Sequence, residues 1–226
     1  MDFKQGEILY FDKPLTWTSF DLVNRVRRII TQKTGEKIKV GHAGTLDPLA
    51  TGVMILTTGK ATKQIEKLQS GIKEYIATLK LGATTPSYDM EHPENQSFPT
   101  KHITKELIEE KLKDFRGEIW QIPPVYSAIK INGKRAFSYA RNGGEVKLSP
   151  KLLVINEIEV LSFLPPLLEI RVVCSKGTYI RALARDIGEA LGSGAYLTSL
   201  KRTRIGGITL DKCLSIEEFK EKLDAL

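Results

Sequence analysis

From Glu74 to Gly82 the chain reads EYIATLKLG, with Tyr75, Ala77, Leu79 and Leu81 at every second position. Successive side chains of a strand point to opposite faces, so strict alternation predicts a strand with one face in a core. GEILYFDKP (6–14) reads as a strand running into a turn at Pro14, because proline cannot donate to a ladder. VMILTT (53–58) is a short buried strand. LLVINEIEVLSF and LLEIRVVCS are two further strands, separated by Pro165 and Pro166.

Helical spacing interrupts this pattern. In TSFDLVNRVRRII, Phe20, Val23, Val26 and Ile30 recur near a 3.6-residue period, with Thr18 or Ser19 as N-cap. TKELIEEKLKDFRG (104–117) predicts a helix closed by Gly117. TYIRALARDIGEALG predicts another, with Ile180, Leu183, Ala184, Ile187 and Leu191 as its apolar stripe and Gly192 as its stop. SIEEFKEKL opens on a capping box from Ser215 to Glu218. Strands and helices mix without strict alternation, which favours an α+β fold around a mixed sheet. The polar, proline-rich stretch 83–100 and the segment 130–147, with its NGK and NGG turn signals, are expected to project from one domain.

Hydrophobic residues are 41% of the 226, enough for a real core. No apolar run approaches a membrane span, and the first residues have no secretory layout. Cys174 and Cys213 are too far apart to suggest a framework and read as reduced thiols in the cytoplasm. The net charge of +7 concerns partners more than fold. Its cations cluster at 24–39, at 130–147 and at 200–207. The middle cluster interleaves Phe137 and Tyr139 with Lys134, Arg135 and Arg141, a composition suited to RNA and equally to a solvated face.

Several familiar patterns fail. GVMILTTGKAT has six residues between Gly52 and Gly59 where a phosphate loop needs four, and Ala61 stands where that motif needs Ser or Thr. GSGAYL (192–197) lacks a third glycine and follows a helix, so it is no dinucleotide fingerprint. His42, His92 and His102 share no metal-ligand spacing with each other or with the cysteines. No cofactor and no metal is expected.

One loop remains, GHAGTLDPLATG (41–52), poor in charge yet carrying a single carboxylate at Asp47. Taken alone, an aspartate before proline is a turn residue or a cap. His42, Tyr75 and Arg181 likewise have ordinary structural readings one by one. The loop nevertheless resembles the catalytic loop of the TruB-type tRNA pseudouridine synthases. LYFDKPLTWTS (9–19), KEYIATLKLG (73–82), IPPVYSAIKINGKRAFSYAR (122–141), CSKGTYIRALARDIG (174–188) and LTSLKRTRIGG (197–207) resemble further motifs of that family, in order along nearly the whole chain.

That resemblance implies a pseudouridine synthase fold, with a mixed, mostly antiparallel sheet flanked by helices and projecting RNA-binding loops. It implies Asp47 as nucleophile, Tyr75 as the ring against the target base and a candidate for proton transfer, and Arg181 as the partner of Asp47. It also implies His42 as an aid to extruding the base, with Tyr179 and Leu200 lining the substrate site. Isomerising uridine adds no atom and changes no redox state, in keeping with the absent cofactor motifs. A carboxylate is already ionised at neutral pH and needs no activating base. Attack at uracil C6, attack at ribose C1′ and a glycal route all stay open. Many relatives add a small RNA-binding PUA domain. Here only a last helix follows Gly207, so residues 1–226 are expected to form a single catalytic domain. The expected partner is tRNA through its T-arm, with no membrane, no obligate protein partner and a monomeric state. Asp89 draws no role, because Pro86 replaces a usual acidic residue of that segment. A tRNA-folding factor without turnover, or a synthase for another RNA, is the competing reading.

Overall fold

The computed structural model describes residues 1–127, 129–131, 133–141 and 147–225. In chain order the first elements are β1 (Ile8–Lys13), α1 (Ser19–Thr34), β2 (Val40–His42), β3 (Ala50–Thr58), α2 (Ile65–Gln69) and β4 (Lys73–Leu81). The short strands β5 (Ala83–Thr84) and β6 (Gln96–Ser97) precede α3 (Lys105–Leu112) and β7 (Gly117–Gln121). Then come β8 (Lys130–Ile131), β9 (Lys134–Arg135), α4 (Ala136–Arg141), β10 (Lys151–Leu164) and β11 (Leu167–Cys174). The chain closes with α5 (Ile180–Ala190), β12 (Ala195–Ile205), β13 (Ile208–Thr209) and α6 (Ile216–Asp224). The fold is α+β, as the mixed pattern predicts.

The elements fall into two compact units, Met1–Tyr75 with Leu200–Leu226, and Ile76–Ser199. Both β4 and β12 change unit part-way along their length.

In the first unit β3 is the central strand. It pairs antiparallel with β1, from Ile8 opposite Thr57 to Lys13 opposite Gly52. It also pairs antiparallel with β2 and parallel with the end of β12, where Leu200 lies opposite Ala50. The sheet is therefore mixed. Helix α1 begins at a capping box, in which the Thr18 hydroxyl and the Asp21 carboxylate each satisfy the other's backbone N–H. It ends at Gly35, whose φ of 72° suits a residue without Cβ. Its buried stripe is Leu22, Val23, Val26, Ile29 and Ile30. Phe20 is a correction to the sequence reading: it is 61% exposed. At 100° per residue it lies 60° beyond Val23 on the helix circumference, outside the buried arc centred near Val26. The capping box of α6 is present as expected, and its Phe219 packs edge-on against Phe11 at 5.2 Å between centroids.

The second unit is built on antiparallel pairing. Strands β10 and β11 form a long hairpin joined at Pro165 and Pro166, β7 flanks β10, and β4 flanks β11. Helix α3 ends at Leu112, earlier than expected. A single tight turn, Lys113–Phe115, follows, and Gly117, at φ 84°, opens β7 instead of closing the helix. The stripe of α5 is buried as predicted, and Gly188 on it lies so close to Ala195 that a Cβ would stand 2.4 Å from the Ala195 nitrogen. Strands β8 and β9 pair around the expected NGK turn, where Gly133 has φ 81°. Asn132, the NGG turn at 142–144 and the side chains of Lys134, Arg135, Phe137 and Arg141 lie outside the described residues. Among the described residues, no helix is long and apolar enough to cross a membrane.

Candidate active site

The Asp47 loop belongs to the first unit, between the end of β2 and the start of β3. His42 is the last residue of β2, opposite Leu56. Segment 13–19 then holds the loop on both sides of Asp47. The Ser19 hydroxyl accepts from the Leu46 N–H at 2.8 Å and donates to the Leu46 carbonyl at 2.9 Å. On the other side, the Thr16 N–H donates to the Pro48 carbonyl at 2.9 Å, and Thr16 itself adopts φ 70°. The Ala50 N–H closes the turn on the Asp47 carbonyl at 3.0 Å. The Asp47 side chain is half-buried.

Two buried cations brace this arrangement. The Lys13 ammonium donates to the carbonyls of Pro14, Trp17 and Pro48 at 2.8, 2.6 and 3.4 Å. Arg202 is only 2% exposed. Its Nε donates to Val53 at 2.8 Å, and Nη1 and Nη2 to Thr45 and Gly44 at 3.3 Å each. Parallel pairing of β12 with β3 places Arg202 opposite Gly52, where a Cβ would come within 2.1 Å of the Arg202 carbonyl oxygen. Gly52 has φ 109°, so this close crossing requires glycine. Arg202 is thus a loop support, which corrects its grouping with an RNA-facing cluster at 200–207; Lys201 in that cluster is exposed.

Burial pushes the Lys13 pKa down to about 8, against the opposing pull of the Asp47 charge. Burial also holds His42 below the ordinary imidazole value. A backbone hydrogen bond at Gly44 opposes that shift and the Arg202 charge adds to it. His42 is therefore a neutral ring at physiological pH. Tyr75 is buried on the inward face of β4, as its alternation predicts, and Leu200 is half-buried beside Ala50. The pairing of β12 with β3 thus brings Leu200 next to the end of the Asp47 loop.

Tyr179 and Arg181 belong to the second unit. Tyr179 immediately precedes α5. Its N–H donates to the Gln121 side-chain oxygen at 2.9 Å, and the Gln121 amide donates back to the Tyr179 carbonyl at 3.2 Å. This two-way bond from a fully buried glutamine sets where α5 begins. Arg181, in the first turn, is 5% exposed. Its Nη1 donates to the Ser87 carbonyl at 3.1 Å and its Nη2 to the Tyr126 carbonyl at 2.8 Å, while Nε stands 3.7 Å from Asp89 Oδ2.

Asp89 is the residue the sequence reading set aside. The stretch 83–100 is polar by composition, yet Thr85, Ser87 and Asp89 are buried. The Thr85 hydroxyl donates to the Asp89 carbonyl at 2.7 Å, and the Asp89 carboxylate accepts from the Glu91 N–H at 3.0 Å. No periodicity marks such a loop, so nothing local signals that its carboxylate meets an arginine from a distant helix. Gln121, Lys13 and Arg202 lie on strands and were given no supporting role in the sequence reading, because strand alternation does not show which buried polar side chain meets a carbonyl of another segment. Among the described residues no group of three or more His, Cys, Asp or Glu is placed to hold a metal ion.

Residues 27–180 match the model of the TruB family pseudouridylate synthase N-terminal domain, and residues 181–225 match the tRNA pseudouridylate synthase B C-terminal domain. The chain belongs to the TruB pseudouridylate synthase family. It is 64% identical over 225 residues to tRNA pseudouridine synthase B of Phocaeicola vulgatus, covering 99% of this chain and 96% of that TruB protein. The corresponding protein of Flavobacterium johnsoniae is 48% identical, with 98% of each chain covered. Among solved structures, a chain of a Cbf5–Nop10–Gar1 complex superposes on this TruB chain with a TM-score of 0.75 at 29% identity. The match covers 99% of this chain and 57% of the other, so this chain spans little more than half of it. A chain from an H/ACA RNP bound to a substrate RNA containing 2′-deoxyuridine gives a TM-score of 0.71 at 27% identity.

Proposed function

We propose that this chain converts a uridine in the T-arm of tRNA to pseudouridine, with Asp47 as the nucleophile. Membership of the TruB family supports the reaction class. The observation that carries the assignment to Asp47 is that backbone bonds to both Leu46 and Pro48 hold its loop while the carboxylate stays half-buried. A nucleophile held in this way loses little entropy on attack.

The reaction breaks the bond from ribose C1′ to N1, turns the uracil, and joins C1′ to C5. The hydrogen on C5 leaves as a proton. Asp47 forms the transient covalent link, at the base or at the sugar. Arg181 is its charge partner in this reading, with Asp89 holding the guanidinium. Tyr75 is the ring against the base and a candidate for moving the proton, while Tyr179 and Leu200 line the site. A base in a folded arm must be extruded at a cost of a few kcal/mol, and the neutral ring of His42 is suited to fill the place it leaves. We further propose that residues 1–226 act as one catalytic domain, as a monomer in the cytoplasm and without an obligate protein partner.

Release of tritium from tRNA labelled at uracil C5 tests the proposal, because forming the new carbon–carbon bond expels that hydrogen. Wild-type protein is expected to release it, and Asp47→Asn to do so at least about a thousandfold more slowly. Binding of tRNA with no release would make the chain a binding or folding factor instead.

A further inference from the structure

The segment that holds the Asp47 loop carries side chains that the chemistry above does not use. Lys13 to Ser19 bonds to Leu46 on one side of Asp47 and to Pro48 on the other. Within it Leu15 is 54% exposed, just after it Phe20 is 61% exposed, and Trp17 is half-buried between them. Phe20 follows Ser19 directly, and Asp47 follows Leu46 directly. With 3.8 Å between successive Cα atoms, Phe20 and Asp47 lie within about 15 Å of one another.

The position of Phe20 on α1 gives it charged company. Phe20, Asn24, Arg27 and Thr31 occur at i, i+4, i+7 and i+11 and share one helix face, which borders the buried stripe on the Val23 side. Arg27 Nη1 donates to the Asn24 side-chain oxygen at 3.0 Å, and Arg28 and then Arg25 are exposed further round the same side of the helix, outside the buried stripe. The one carboxylate on this part of the helix, Asp21, is occupied by the capping box. An exposed aromatic ring on a helix that also carries Arg25, Arg27 and Arg28 matches RNA, whose bases offer apolar faces and whose phosphates are anionic.

We propose that Leu15 and Phe20 form a platform on which a base of the substrate RNA close to the target nucleotide stacks, while the arginines of α1 meet its phosphates. Extruding a nucleotide unstacks its neighbours, and a ring at the edge of the Asp47 loop restores a stacking partner to one of them. The inference rests on Asp47 being the catalytic carboxylate, and it adds a recognition element outside the reacting atoms. Since Phe20 is 61% exposed, its replacement is expected to leave the fold intact.

The test measures tritium release and direct tRNA binding for wild type, Phe20→Ala, Phe20→Trp, Phe20→Leu and the double variant Leu15→Ala/Phe20→Ala, with melting temperatures alongside. For Phe20→Ala the expected result is KM and Kd raised about tenfold, the scale of one lost stacked base, with kcat changed less than about twofold and melting unchanged. Phe20→Trp should restore wild-type KM and Phe20→Leu should not. Unchanged KM and Kd in the double variant would overturn the proposal. So would recovery by leucine equal to that by tryptophan, or a defect seen only in cell extract, which would point to a protein partner. If wild-type protein releases no tritium, the functional reading fails by itself, and Kd still reports on the platform.

Discussion

Arg202 in the first unit and Arg181 in the second are both buried arginines, and they are held by different kinds of partner. The hydrogen bonds of Arg202 go to the carbonyls of Val53, Thr45 and Gly44, which are neutral acceptors on two neighbouring segments of backbone. Arg181 donates to two carbonyls as well, but it also faces the Asp89 carboxylate. Carbonyl acceptors fix where a chain runs, whatever the charge of nearby groups. A carboxylate orients the guanidinium and tempers its charge. The first arrangement suits a brace for loop shape and the second suits a charge held ready for chemistry.

Replacing Arg202 should give the largest effect on the fold. Arg202→Met removes the donors for three carbonyls near the loop, each costing about 1 kcal/mol or more when left unpaired. We expect a loss of about 3 kcal/mol, read as a urea-midpoint shift and a melting temperature lower by about 10 °C. A stable protein with normal tritium release would break the description of Arg202 as a brace.

Asp89→Asn should be milder and of another kind. The Ser87 and Tyr126 carbonyls still hold Arg181 and the amide remains an acceptor, so the loss of stability should be about 1–2 kcal/mol. Removing the charge should lower kcat about tenfold with little change in KM. A stability loss as large as that of Arg202→Met would erase the difference between the two sites.

The last expectation concerns pH, and its size depends on the pH range compared. Lys13 has its folded pKa lowered to about 8 from 10.5. Between those values the unfolded chain holds more protons than the folded one, so stability rises with pH across that window. The Lys13→Met variant should lack this rise when urea midpoints are compared below pH 8 and near pH 10. Parallel profiles for the two proteins would show that Lys13 titrates as an ordinary lysine.

Some of this protein was written in its local sequence. The alternation at Tyr75, Ala77, Leu79 and Leu81, the stripe of α5, and the capping boxes at Thr18 and Ser215 depend on residues a few positions apart, and all of them appear in the fold. The Asp47 loop was recognisable only through its resemblance to a family motif, since its residues taken alone read as a turn. Phe20 was misplaced because three matching intervals were taken to include the helix end, where one further step leaves the buried arc. The bracing of the sites was decided only by tertiary structure. Arg202 reaches Val53 across 149 positions and Arg181 reaches Ser87 across 94. No period in the sequence encodes a meeting over such a distance, because it arises only once strands have paired and helices have packed.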